Sequence, residues 1–264
     1  MTKATSVKPV DDISQLPQEI QDRINAAQGR GMEEADKDSF ATPFLRVLQS
    51  GSPQCKKSDG AYIKGAEEGM IYNNVSDAVY DGEEGVIVIP CFYQRRFVEW
   101  TPIEAGGGFN GEYAPSDPIV GTTRRDEATF KDMLPNGNEL ADTRNHYCLL
   151  VLPNGAVQPV LIGMASTQVK ISRKWMSMIN AAPGDMFAMQ YRLKSVAQSN
   201  DKNTWMTWAV EAAGFVTSVE ALDAAEAFYK QVSAGEAKAA YDADAPASST
   251  DAGTTEEATG EAPF

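Results

Sequence analysis

Histidine and cysteine are scarce in this chain of 264 residues, and each scarcity removes a class of chemistry. His146 is the only histidine, which speaks against a histidine-based metal site and against a Ser-His-Asp triad. Cys55, Cys91 and Cys148 are odd in number, widely spaced and free of any zinc-ligand pattern. Cys91 and Cys148 sit in apolar runs and read as buried thiols. No metal and no cofactor is therefore expected. No apolar run approaches the length of a bilayer-spanning helix. The opening MTKATSVKPVDD lacks the apolar core of a signal peptide. The expectation is a cytoplasmic protein with no membrane partner. Base is absent altogether from residues 242–264.

The formal charge of −14 speaks against a polyanionic partner until its distribution is considered. Residues 91–210 hold twelve Lys and Arg against eleven Asp and Glu. Residues 242–264 hold six acids. The negative charge is concentrated toward the two ends, and the middle is locally neutral to basic.

That middle is organised around residues 86–100, VIVIPCFYQRRFVEW. The β-branched run Val86 to Ile89 predicts a strand buried on both faces. Pro90 cannot donate to a ladder and marks an edge or a bulge. Beyond it, period-two geometry puts Tyr93, Arg95 and Phe97 on one face and Arg96, Val98 and Trp100 on the other. Rings beside guanidinium groups on a β-platform suit a single nucleic-acid strand, since bases stack and phosphates are neutralised. A half-buried strand with solvated arginines is the simpler reading of the same residues.

Before this stretch, Pro17, Ile20 and Ile24 suggest one short amphipathic helix within an arm over residues 1–40. Short strands are expected near 44–50 and 70–72. After Trp100 the periodicity dissolves for about forty residues, the length of a functional or disordered loop. This segment reads as a flexible flap, with Phe109 and Tyr113 as stacking groups and Arg124 and Arg125 in reach of phosphate. Its carboxylates Asp117, Asp126, Glu127 and Asp132 leave a low-ranked reading as a carboxylate-based enzyme, since nothing fixes their spacing.

The sheet resumes with a hairpin, 146–152 and 156–163 around Pro153-Asn154-Gly155, which makes His146 a structural residue. Thr167 reads as the N-cap of a helix over 168–181 that carries the basic cluster Lys170, Arg173 and Lys174. Strands over 187–196 and 204–211 follow. An even-numbered turn between them puts Trp205 on one face with Arg192 and Lys194, a second surface of ring and cations. Ser218 caps a last helix with Leu222, Ala225, Phe228 and Tyr229 on its apolar side.

Residues 242–264 are small, polar and acidic, a composition that predicts disorder. They end Glu261-Ala262-Pro263-Phe264. This ending resembles the acidic tails of bacterial and phage single-stranded-DNA-binding proteins, which close on Pro-Phe or Phe. The resemblance spans about twenty residues, with sparser acids than is usual. It implies an OB-fold-like barrel within a mainly β (α+β) chain, with a long loop insertion, one internal helix and a C-terminal helix. The implied order is an arm over 1–40, an OB-like nucleic-acid-binding domain over 41–216, a C-terminal helix over 217–241 and a tail over 242–264. It further implies a non-catalytic phage protein that coats single-stranded DNA in replication or recombination. Pro263 and Phe264 would recruit partner proteins, or the tail would compete with DNA. The alternative is a phage structural or assembly subunit, and self-association is open in either case.

Overall fold

The structure, a computed structural model, describes residues 15–26, 31, 33, 34, 42–201, 203–237, 239 and 241. It falls into two units, Met1–Phe40 and Ala41–Phe264. In the first, α1 (Gln18–Ala26) follows Pro17, whose carbonyl accepts from Ile20 N and Gln21 N.

The second unit is mainly β. Strands β1 (Leu45–Val47), β2 (Ile71–Asn73) and β3 (Val79–Tyr80) form a small antiparallel sheet. The main sheet holds β4 (Val86–Trp100), β5 (Phe109–Tyr113), β6 (Arg124–Arg125), β7 (Asp132–Met133), β8 (Glu139–Val151), β9 (Val157–Met164), β10 (Met189–Ser199) and β11 (Thr204–Phe215). These eight antiparallel strands curl into a half-barrel, in keeping with the β-rich, barrel-like α+β fold expected. The helices α2 (Val169–Ala181) and α3 (Val219–Ser233) pack on its two faces.

β4 is the spine. β10 pairs with it only at Val86–Val88, β8 along nearly its whole length, and β5 only at Phe97–Trp100. The register slips between Pro90 and Phe92, where the missing proline N–H makes a bulge cheap. Alternation reverses there. Val86 and Val88 enter the core under α2, and Cys91 and Phe92 both face the core under α3. Trp175 and Ile179 bring α2 onto the first core, and Ala225 and Phe228 bring α3 onto the second. Cys91 and Cys148 are buried thiols, and burial pushes Cys91 up to about 12. Among the described residues no helix is long and apolar enough to cross a membrane.

Several local expectations are corrected. Residues 109–113 form a strand, because β4 offers them a paired edge that their own glycine-rich pattern does not announce. Thr167 does not cap α2; Gln168 occupies the cap position without a side-chain bond, after a 3-10 turn over Ser166–Gln168. Ser218 does cap α3, its hydroxyl accepting from Ala221 N at 3.2 Å. The buried face of α3 is Ala221, Ala225, Phe228 and Val232, while Leu222 and Tyr229 are exposed. The strand expected from residue 187 begins only at Met189: Phe187 lies in a 3-10 turn and packs in the core under α3, while Met189 and Tyr191 face the core under α2. Thr207, which shares the face of Trp205 on β11, is buried.

Candidate nucleic-acid interface

Past the bulge, β4 presents Tyr93, Arg95 and Phe97 on the face that carries α2, as strand alternation requires. β8 lies opposite in register, with His146 across from Tyr93, Arg144 across from Arg95 and Asp142 across from Phe97. On the other side Tyr113 of β5 pairs with Phe97. The result is a strip three strands wide whose Tyr93, Arg95 and Phe97 are half-exposed.

Its polar groups are tied to one another. Arg95 donates from Nε and Nη2 to the two oxygens of Asp142, at 2.9 and 2.8 Å. Arg144 donates to Asp142 Oδ2 at 2.8 Å and to the Tyr93 hydroxyl at 3.2 Å. Two guanidinium groups thus share one carboxylate, a local excess of one positive charge around Asp142 that Glu99, at the end of the strip, offsets. The bonds to Asp142 hold the Arg95 guanidinium above its usual range. Arg95 also lies 5.0 Å from the centre of the Phe97 ring, in cation–π geometry. Arg144 is nearly buried, and its Nε finds no hydrogen-bond partner among the described residues.

Two buried groups fix the ends of the strip. At one end His146 stacks on Trp175 at 4.4 Å, and its Nε2 lies 2.8 Å from the Ser172 hydroxyl. Burial, helped by Arg144, pushes His146 down to about 3, so it stays neutral. This contact sets the amino half of α2 beside Tyr93, and the exposed Lys170, Arg173 and Lys174 flank Ser172 on that helix. At the other end Glu99 accepts from Tyr113 Oη, Asn138 Nδ2 and Asn136 Nδ2 at 2.6, 2.6 and 2.9 Å. Burial pushes this carboxyl up, but the three donors outweigh it and bring it below its ordinary value.

The remaining sequence candidates do not join the strip. Arg96 and Trp100 take the opposite face with Val98, and Trp100 packs against Phe109 and Tyr241. Phe109 is no flap ring: it stacks on Tyr241 at 5.0 Å within the core under α3. The four-residue turn between β10 and β11 does put Trp205, Arg192 and Lys194 on one face. That face is the one opposite the strip, since Arg192 pairs with Ile87 and Tyr191 with Val88. β10 leaves β4 after Leu193 opposite Val86, so Trp205, opposite Gln198, lies roughly 50 Å from Phe97 measured along the strands. The strip and the Trp205 face are therefore two separate surfaces. In the second, Arg192 donates to Glu84 O at 2.9 Å and Lys194 pairs with Glu211 at 3.4 Å. Pro263 and Phe264 lie outside the described residues.

Sequence reasoning missed Asp142 and Arg144, because the strand was begun at His146. The i, i+2, i+4 order of Asp142, Arg144 and His146 was the signal that could have found them. The loop carboxylates are engaged in local structure: Asp117 caps a 3-10 turn, Asp126 holds Thr129, and Asp132 pairs with Arg125.

Residues 12–238 match the family of Pam3 phage gp34-like proteins. No curated protein and no solved structure matches the chain. With most of its length inside that match, the chain belongs to the Pam3 phage gp34-like protein family.

Proposed function

We propose that this phage protein binds single-stranded DNA on the Tyr93–Arg95–Phe97 strip. The observation that carries the reading is the half-exposed ladder of Tyr93, Arg95 and Phe97, whose guanidinium shares the Asp142 carboxylate with the nearly buried Arg144. Rings on an open sheet face accept any base by stacking, at about 1–3 kcal/mol each. The guanidinium excess around Asp142 suits a phosphate, and the exposed Lys170, Arg173 and Lys174 of α2 supply further cations. Arg192, Lys194 and Trp205 are left out of the binding surface by their position. The reading calls for no catalytic step. The protein would coat strands exposed in replication or recombination, and the acidic tail would recruit partner proteins or compete for the strip.

The test is a titration of fluorescent oligothymidine with the full chain at low and moderate salt, beside a duplex of equal length. The strip is expected to bind the single strand in preference, with affinity falling as salt rises. Arg95→Ala and Phe97→Ala should each weaken binding about tenfold. Absence of binding at low salt, or equal binding of duplex, overturns the reading in favour of an assembly role.

A further inference from the structure

Phe130 has the highest fractional exposure of the large apolar side chains described, at 69%. It sits at the tip of the hairpin that joins β6 to β7, with φ at 56°. A left-handed backbone suits glycine or asparagine and crowds the Cβ of an aromatic residue. The turn nevertheless enforces it. Asp126 Oδ1 accepts from Thr129 N at 2.7 Å and Ala128 N at 3.1 Å, and Phe130 N donates to Asp126 O at 2.9 Å. An exposed ring in a strained position contributes nothing to the core, and strain of this kind persists at sites of function.

The register sets the hairpin beside the strip. Met133 pairs antiparallel with Glu139, so the chain running back from Met133 to Phe130 climbs along β8 toward Asp142 and Arg144. β9 takes over that edge of β8 only from Arg144, opposite Met164. The hairpin mixes both signs: Arg124 and Arg125 are exposed, Arg125 pairs with Asp132 at 3.1 Å, and Lys131 reaches Glu139 at 2.8 Å. A lone ring among polar and charged side chains, beside a guanidinium-bearing face, fits a nucleobase better than the apolar pocket of a protein.

We propose that Phe130 is a base-stacking finger for the strand held on the Arg95–Arg144 strip. This rests on the single-strand reading above and adds a contact outside the sheet. A phosphate on the guanidinium groups would place a neighbouring base within reach of a ring presented from the hairpin.

Phe130→Gly and Phe130→Trp, compared by oligothymidine anisotropy and thermal unfolding, test this. Glycine accepts the left-handed position, so Phe130→Gly is expected to unfold at a higher temperature than the parent and to bind about tenfold more weakly. Phe130→Trp should bind within about twofold of the parent. If Phe130→Gly binds as the parent does while Arg95→Ala loses binding, the strip stands and the finger is wrong. If the parent itself does not bind oligothymidine, the single-strand reading fails and takes the finger with it.

Discussion

Arg95 closes a two-bond clamp on Asp142, which lies two residues along β8 from Arg144 directly opposite, with Nε and Nη2 at 2.9 and 2.8 Å from its two oxygens. The same carboxylate holds Arg144 at 2.8 Å. Asp142 therefore does for the guanidinium groups what a phosphate oxygen pair would do: it orients them and offsets part of their charge.

Asp142→Asn should strengthen the attraction of the strip for phosphate while weakening the fold. Removing the charge leaves nearly buried Arg144 without its counter-ion, for a loss of about 1–3 kcal/mol in denaturant unfolding. Oligothymidine should bind several-fold more tightly at low salt. The slope of log affinity against log salt should steepen by about 0.7, one phosphate's share for a single strand. An unchanged slope would mean that the clamp has no part in binding.

The second surface supplies the control. Arg192→Ala and Trp205→Ala lie on the far face and should leave oligothymidine affinity within about twofold of the parent. A tenfold loss in either variant would restore a path that joins the two surfaces.

His146 makes stability depend on pH in one direction. Its folded value of about 3 lies below the ordinary 6.5, so in that window the unfolded chain holds a proton that the folded chain does not. Its contribution is fully present above the unfolded value and is lost on acidification. From pH 7.5 to 5.5 the loss is about 1.4 kcal/mol. Urea unfolding at both pH values should show this drop in the parent, and His146→Asn should abolish most of it.

Gly82 tests the packing of the small sheet on the large one. A Cβ there would lie 1.8 Å from Gly69 O and 2.8 Å from Ser195 Cβ, and Gly82 O accepts from Ser195 N at 2.8 Å. Gly82→Ala must push two backbones apart and is expected to lower stability by about 2 kcal/mol or more in thermal or denaturant unfolding.

What the sequence revealed and what it hid follow from the range of the forces involved. The β-branched start of β4, the proline at its bulge and the hydroxyl cap of α3 are local signals, and local signals are printed in the residues. The faces of Tyr93, Arg95 and Phe97 follow from alternation alone. β5 owes its form to an edge that β4 supplies, and its own FNGEY pattern is mute. The polar half of β8 escaped because Glu139–Asn145 looks like loop composition, although burial by flanking strands makes it sheet. The isolation of Trp205 depends on how few residues β10 shares with β4, a non-local register that no stretch of sequence carries. Phe130 was invisible because nothing in an aromatic residue announces a left-handed turn.

The central claim concerns where a strand lies, and photo-crosslinking reads position directly. Oligothymidine irradiated with the full chain and digested should leave adducts on the peptides that carry Tyr93 and Phe97, with Phe130 as a further site. Adducts confined to the peptide of Trp205 or to α3, or no adduct at a salt concentration where anisotropy reports binding, would contradict it.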